Sequence, residues 1–137
     1  MTHLVLDTDV FSAFYSDLPE VAKLEHHLRH MRPAVAFATV AELHYGARHR
    51  DWSAQRIQHL DSYLGNFQVL PFDDALPRLW GQLRAHATRA GHPLAHRSLS
   101  NDLWIAACAI HYDAPLLTAN IRHFTDVPGL SLLTPNN

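Results

Sequence analysis

Hydrophobic and polar positions along the chain alternate between short apolar runs and longer amphipathic segments. The apolar runs predict five strands, at residues 4–6, 34–38, 68–70, 115–118 and 130–133. The amphipathic segments have a helical period and predict helices at residues 10–15, 19–30, 40–49, 53–65, 74–90 and 99–111. Strands that alternate with helices favour an α/β domain, in which a parallel sheet of about five strands is covered on both faces. No linker or repeat divides the sequence, so residues 1–137 are expected to form a single domain.

Polar residues follow three of the predicted strands. After the first, second and fourth strands come three pairs of oxygen-bearing side chains: Asp7 and Asp9, Thr39 and Glu42, and Thr118 and Asn120. In a parallel α/β sheet, ligands bind beyond the carboxyl ends of the strands, near a switch in strand order. These side chains are therefore the candidates for a functional site.

Each of the acids near the first two strands has two interpretations. Asp7 follows its strand directly and is either the N-cap of the next helix or a functional carboxylate. Asp9 is either that N-cap or an acceptor that orients Asp7. Thr39 and Glu42 have the spacing of a capping box, but a glutamate in a first helical turn beside other acids can equally bind a cation. The segments alone leave these alternatives open.

Asp102 is the most informative acid, because on a helix it shares a face with the apolar residues Ile105, Ala106 and Ala109. The side chain should point inward, where an unpaired carboxylate is costly and needs helix-end donors, an arginine or a metal. Asn120 is either a helix N-cap or a carbonyl ligand for a cation. Carboxylates that share one pocket repel each other, and oxygen-only ligands suit Mg²⁺ or Mn²⁺, so we favour a metal.

Composition narrows the function classes only a little. The net charge is −2 and the basic residues are almost all arginines, which neither indicates nor excludes a nucleic-acid partner. A single cysteine, Cys108, excludes an internal disulfide and is interpreted as a small buried hydrophobe. His26 and His30 have the spacing of helical zinc ligands but no evident third ligand, so zinc is not expected. No apolar run reaches about 18 residues and no signal peptide is evident, so a cytoplasmic protein without a membrane span is expected.

Four motifs together resemble the PIN-domain ribonucleases, and among them most closely the VapC toxins of bacterial toxin–antitoxin pairs. They are LDTDVFS, ATVAELHYGA, NDLWIAACAI and PLLTANIRHFTDVPGLSLLTP, and in this order they cover essentially the whole chain. The resemblance implies a three-layer α/β/α sandwich and a Mg²⁺-dependent endoribonuclease, with Mn²⁺ as a substitute. It also implies tRNA or ribosomal RNA as the substrate, a homodimer, and inhibition by a cognate VapB-like antitoxin.

The resemblance implies roles for individual residues as well. The catalytic, metal-binding acids of the family fall on Asp7, Glu42 and Asp102. The fourth acidic position falls on Asn120; many members have Asp there, so a second metal ion is not implied. Thr8 and Thr118 match small polar residues that shape the pocket, and Thr118 is expected to support the site.

Two further expectations concern RNA and the assembly. Arg97 precedes the Asp102 helix and Arg122 follows Asn120, so both are candidate RNA contacts. The homodimer has modest support from the sequence, since three tryptophans exceed what a small core needs and aromatic residues are enriched at interfaces.

Two alternative functions remain open at this stage. The run Asp7-Thr8-Asp9-Val10 matches the start of haloacid-dehalogenase-type phosphatases, with Asp7 as nucleophile and Asp9 as acid/base. That mechanism needs a lysine well downstream, whereas the only lysine is Lys23. The second alternative is a PIN-like module that binds RNA without cleaving it.

Overall fold

A computed structural model describes residues 2–136 of the chain. Within them, five strands form one parallel sheet in the order β3-β2-β1-β4-β5. The strands are β1 (His3–Leu6), β2 (Arg32–Ala36), β3 (Gln68–Leu70), β4 (Leu116–Leu117) and β5 (Leu132–Leu133). The predicted α/β fold with about five parallel strands is confirmed.

Helices connect the strands and cover the sheet. The α-helices are α1 (Thr8–Tyr15), α2 (Glu25–Leu28), α3 (Phe37–His49), α4 (Ala54–Leu64), α5 (Leu76–Ala90), α6 (Ser100–His111) and α7 (Ile121–Phe124). Short 3₁₀ turns lie at Pro19–Lys23, Pro93–Ala95 and Arg97–Leu99. Across residues 2–136, every helix falls short of the length and hydropathy that a bilayer span requires.

Both faces of the sheet are buried, and the central strand shows this directly. Val5 packs in one cluster with Ile105 of α6, whereas its neighbours Leu4 and Leu6 pack in another cluster with Val10 of α1. Since side chains alternate between the two faces of a strand, helices must cover both faces. Each fully buried aliphatic side chain contributes roughly 1.5–3 kcal/mol, so these two layers of helix and the sheet between them stabilise one another.

The segment at residues 19–30, predicted as one helix, is instead the turn Pro19–Lys23 followed by α2. Only Val21 and Leu24 are buried there, which is too few apolar anchors for an amphipathic helix of that length. His30 lies beyond the end of α2. The helical ligand spacing inferred for His26 and His30 is therefore wrong.

The boundary between β2 and α3 also differs from the prediction. The strand predicted at residues 34–38 ends at Ala36, and α3 begins at Phe37, earlier than expected. Thr39 is fully buried inside the first turn, and the N-cap residue Ala36 makes no side-chain capping bond. The capping box proposed for Thr39 and Glu42 is therefore wrong, which leaves both side chains free for another role.

Candidate active site

The edge of the sheet at the carboxyl ends of β1 and β4 gathers the predicted site residues. β1 lies between β2 and β4, so the remaining strands are added on both sides of it. This reversal of strand order is a switch point, and α/β sheets bind ligands at such points. The carboxylates that interact electrostatically at this edge are Asp7, Asp9, Glu42 and Asp102.

Asp7 is buried, caps α1 and is fixed by two hydrogen bonds. Its Oδ1 accepts from the Val10 N–H at 2.8 Å, and its Oδ2 accepts from the Thr118 hydroxyl. Thr118 Oγ1 in turn accepts from the Asn120 N–H at 2.9 Å. The capping and functional interpretations of Asp7 are thus compatible, because one oxygen caps the helix while the carboxylate lies at the switch point. Asp9 lies in the first turn of α1 and is not the N-cap.

Glu42 is held by hydroxyl groups rather than by the end of its own helix. The Thr8 hydroxyl of α1 donates to Glu42 Oε1 at 2.8 Å, and it lies 3.0 Å from the Thr39 hydroxyl. Thr39 is fully buried, so this pair of threonines joins α1 to α3 and fixes the half-buried carboxylate between them. Thr8 and Thr39 therefore support the site through hydrogen bonds between α1 and α3 that the sequence did not specify.

Asp102 lies in the first turn of α6, above the fully buried Ile105 and Ala106. Its partner is His123 of α7, whose Nδ1 lies 2.8 Å from Asp102 Oδ2. His123 was not among the predicted site residues, because α7 has four residues and is too short to show a helical period.

Asp9 and Asn120 connect the start of α1 to the loop that follows β4. Asn120 Nδ2 donates to Asp9 Oδ2 at 2.8 Å, at an exposed position. Asn120 occupies the N-cap position of α7, yet its side chain makes no capping bond. The amide therefore serves the acidic cluster instead of the helix.

Three carboxylates at this edge, those of Asp7, Glu42 and Asp102, have a raised pKa. Burial raises the pKa of Asp7 to about 6, and the charges of Asp9 and Asp102 add to this against the hydrogen bonds from Thr118 and Val10. Burial likewise raises the pKa of Glu42 and Asp102, and Asp9 contributes repulsion to both. The cluster is thus a site where negative charge is concentrated at a cost, which is characteristic of functional sites.

A divalent cation with oxygen ligands fits this set of donors. Among residues 2–136, no ion pair joins these carboxylates to a lysine or an arginine, and the one ion pair they make is that of Asp102 with His123. In the same residues no three His, Cys, Asp or Glu side chains converge as a complete ligand set. Mg²⁺ needs no such convergence, because it keeps several waters and commonly takes only one or two carboxylates from the protein.

The two arginines predicted as RNA contacts lie outside the cluster. Arg97 is exposed in the turn before α6, and Arg122 is exposed on α7, where it lines a separate cavity of about 490 Å³ with His86 and Asp126. Neither guanidinium pairs with a carboxylate in the described part of the chain. Their assignment to RNA stays a prediction.

Comparison with known proteins gives a consistent result. The sequence profile of the PIN domain matches residues 4–130. The chain is 38% identical over 117 residues to "Ribonuclease VapC5" of Mycobacterium tuberculosis, which covers 83% of this chain and 80% of that protein. It is 26% identical over 132 residues to the "tRNA(fMet)-specific endonuclease VapC" of Salmonella typhimurium, which covers 96% of this chain and 97% of the relative.

The fold has a close match among solved structures. The VapBC2 complex of Rickettsia felis, solved bound to a DNA fragment from its promoter, contains a chain that superposes with a TM-score of 0.80 at 27% identity. The match covers 96% of this chain and 97% of that one, so the similarity extends over the whole α/β/α sandwich.

Proposed function

The chain belongs to the PIN-domain family and, within it, to the VapC ribonucleases, and from this premise we propose that it is a Mg²⁺-dependent endoribonuclease, the toxin of a toxin–antitoxin pair. The observation that carries the proposal is the cluster of Asp7, Asp9, Glu42 and Asp102. Burial, with repulsion from neighbouring carboxylates, raises the pKa of Asp7, Glu42 and Asp102 at the switch point of the sheet, and none of the four acids has a lysine or arginine partner among residues 2–136.

Asp7 and Asp102 would hold the cation, with Glu42 directly or through a water, and with Asn120 as a further carbonyl ligand. Bound Mg²⁺ would offset the charge of the cluster, polarise the phosphodiester and lower the pKa of a water. Mn²⁺ offers the same oxygen-seeking chemistry and should substitute. In the metal-free protein, hydrogen bonds from neighbouring groups already restrict the orientation of Asp7, Glu42 and Asp102.

Four supporting contacts orient three of the acids. Thr118 and the Val10 N–H fix Asp7, the Thr8 hydroxyl fixes Glu42, and His123 fixes Asp102. Each contact restricts the rotamer of a carboxylate, and such positioning is worth more in catalysis than the hydrogen bond is worth in stability.

The substrate is proposed to be tRNA or ribosomal RNA, in the cytoplasm. The relative whose name specifies tRNA(fMet) supports tRNA as the first substrate to test. Arg97 and Arg122 stay proposed as RNA contacts, since arginine binds phosphate in a bidentate manner and both side chains are exposed.

The partners are proposed to be a VapB-like antitoxin and a second copy of the chain. The antitoxin has support from the Rickettsia felis relative, which was solved as a VapBC complex. The tryptophan argument for the homodimer is weaker than expected: Trp80 and Trp104 pack together at 5.5 Å, whereas Trp52 lies under the Arg56 guanidinium at 3.9 Å. A mass measurement by light scattering at micromolar concentration decides the homodimer.

Cleavage of RNA by the purified protein tests the function. With bulk tRNA and ribosomal RNA, we expect discrete fragments in Mg²⁺ and none in EDTA. Asp102→Asn should cleave at least 100-fold more slowly, in the range of other catalytic groups, whereas Asp74→Asn, at an exposed acid outside the cluster, should cleave as the wild type does. Equal cleavage in EDTA, or by Asp102→Asn, would contradict the proposal.

The two alternative functions are not favoured. Similarity to named ribonucleases argues against the phosphatase, and the only lysine, Lys23, is exposed in the turn after α1. A module that binds RNA without cleaving it would have no need for a cluster of acids whose ionised forms are disfavoured by burial.

A further inference from the structure

A groove runs from the carboxylate cluster between α1 and α3, and the proposed active site does not account for it. It has a volume of about 240 Å³. One wall carries the hydroxyls of Thr8, Ser12 and Ser16, and the other carries Glu42, Gly46 and Arg50. We call it the α1–α3 groove. Because Glu42 lies at one end, any polymer bound at the carboxylates has a path into it.

The residues of each wall recur every fourth position, so they lie along one face of their helix. Arg50 directly follows α3, and its Nη1 lies 3.7 Å from the Cβ position at Gly46, which is four residues and a rise of about 6 Å from Glu42. Successive phosphates of one strand in a duplex are about 3.4 Å apart along the helix axis. A phosphate at the Arg50 guanidinium is therefore offset along the groove from a phosphate at the carboxylates.

Gly46 keeps the middle of the groove open. A glycine inside a helix is unfavourable relative to alanine, so its position needs a reason. A Cβ at Gly46 would enter the groove 3.7 Å from Arg50 Nη1, whereas a Cβ at Gly81 of α5 would meet nothing within 4 Å. The two helical glycines thus differ in what a side chain would obstruct.

Arg50 is the basic side chain of the groove, and it is available for a ligand. Its side chain is exposed and lies over Gly46. In the described residues, its guanidinium forms no ion pair and no side-chain hydrogen bond, although two acids line the same groove. An unpaired guanidinium beside a row of hydroxyls suits a phosphate and a ribose, because arginine binds phosphate through two parallel hydrogen bonds.

We propose that the α1–α3 groove binds the RNA strand next to the cut, with Arg50 holding a phosphate that is not cleaved. This inference rests on the proposed function, since it assigns a substrate subsite of the same enzyme. The Thr8 hydroxyl is engaged by Glu42, so the hydroxyls of Ser12 and Ser16 would face the sugar edge of the strand, where the 2′-OH offers both a donor and an acceptor.

Single-site replacement of phosphates in the substrate tests the inference. The probe is a 5′-labelled stem–loop oligoribonucleotide that carries the cut sequence mapped in tRNA or ribosomal RNA digests. Methylphosphonate replaces one phosphate at a time and removes its charge. For the wild type, one position outside the cut should raise KM about tenfold with kcat nearly unchanged, as expected for the loss of one charged hydrogen-bonded contact.

Arg50→Gln should raise KM by the same factor of about ten on the unmodified probe, and should be insensitive to methylphosphonate at that one position. The slope of log(kcat/KM) against log[salt] should shrink by about 0.7, the value for one phosphate contact on a single strand. If the increase in KM caused by Arg50→Gln multiplies with the increase caused by methylphosphonate at every position, no phosphate depends on Arg50, and the proposal is overturned.

Two glycine variants provide the matched control for obstruction. Gly46→Gln introduces a long side chain into the groove, and Gly81→Gln introduces the same side chain into solvent on α5. Both should melt at or above the wild-type temperature, because both gain helix propensity. Only Gly46→Gln should raise KM; equal kinetics in the two variants would count against the groove.

The failures of the two proposals are distinguishable. If the wild type cleaves no RNA in Mg²⁺, the proposed function fails and the subsite fails with it. If the wild type cleaves and Arg50→Gln has wild-type kinetics, only the subsite is wrong. If Arg50→Gln instead weakens only inhibition by the co-expressed antitoxin, the groove takes a protein segment and the assignment to RNA is overturned.

Discussion

At the scale of residues, Asp7 is a buried acid whose ionisation opposes folding. Its pKa is raised by burial from 3.8 to about 6. Because the folded-state value lies above the unfolded value, the stability that this group contributes is fully present below about pH 4. It is lost as pH rises through about 6, and the loss amounts to about 3 kcal/mol by pH 7.

The comparison of the wild type with Asp7→Asn isolates this effect. In EDTA, the free energy of unfolding of the wild type should fall relative to the variant by up to about 3 kcal/mol between pH 4 and pH 7. All other ionisable groups are common to both proteins, so their contribution cancels. The side-chain Oδ1 of the Asp7→Asn variant can still accept from the Val10 N–H, and the lost acceptor for the Thr118 hydroxyl is a constant offset. Parallel curves from urea unfolding would contradict the assignment of the raised pKa to Asp7.

Asp102→Asn separates a metal ligand from an ordinary structural acid. The Asn Oδ1 still accepts from His123 Nδ1, so the contact between α6 and α7 is kept while the charge is removed. In EDTA the variant should melt at or above the wild type, because repulsion within the cluster is relieved. Loss of a structural acid would instead cost roughly 1–3 kcal/mol.

Mg²⁺ should then stabilise the two proteins differently. At 100 times its Kd, Mg²⁺ stabilises the wild type by about 2.7 kcal/mol, and Asp102→Asn should gain much less. The readout is a melting curve with and without Mg²⁺, with Asp74→Asn as the control that responds as the wild type does. An equal response of Asp102→Asn would remove Asp102 from the metal site.

At the scale of elements, the bond between Asn120 and Asp9 connects the loop after β4 to α1 across the site. Asn120→Asp exchanges the donor for a second carboxylate that faces Asp9. In EDTA we expect a loss of about 1 kcal/mol, since one exposed hydrogen bond is replaced by repulsion. The gain in melting temperature with Mg²⁺ should increase, because the cluster then has one more charge to offset.

Asp9→Asn provides the matching half of a double-mutant cycle. In the double variant Asp9→Asn/Asn120→Asp, the donor and the acceptor exchange places, so the hydrogen bond can form again without repulsion. The double variant should therefore recover most of the stability in EDTA. If the two single changes in the free energy of unfolding add instead, the amide of Asn120 is not coupled to Asp9, and the hydrogen bond between the two elements does not contribute to stability.

The accuracy of the sequence prediction for each element depends on how far that element is anchored by burial. Strand β3 was predicted with its bounds, and α4 to within one residue at each end, because Ser53 caps it and Ile57, Leu60 and Leu64 form a buried stripe. The boundary of α3 was wrong because Ala36 gives no capping signal. Asp7 and Glu42 were singled out by their position after strands and Asp102 by the apolar face of its helix, but His123 was not, because its helix has a single turn.

At the scale of the whole molecule, the alternation of strands and helices predicted a parallel sheet, while the order of its strands needed the structure. The sequence of β1 does not indicate that β2 and β4 flank it. That order produces the switch point, and hence the proximity of Asp7 and Asp102, which are far apart in sequence. The α1–α3 groove was unpredicted for the same reason, since it depends on how two helices pack side by side.

A nuclease that acts on tRNA or ribosomal RNA should inhibit growth when it is expressed without its antitoxin. At a typical turnover near 10 s⁻¹, a few copies would cleave many RNA molecules within one generation. Induced expression of the wild type should slow growth, co-expression of the antitoxin should restore it, and Asp102→Asn at equal abundance should have no effect.

Arg50→Gln should inhibit growth less than the wild type at limiting induction, because weaker RNA binding lowers kcat/KM. The measurement is growth rate against the amount of soluble protein, and normal growth of a strain with abundant folded wild type would contradict toxicity. Inhibition by Asp102→Asn equal to that of the wild type would mean that the effect arises from binding rather than from cleavage.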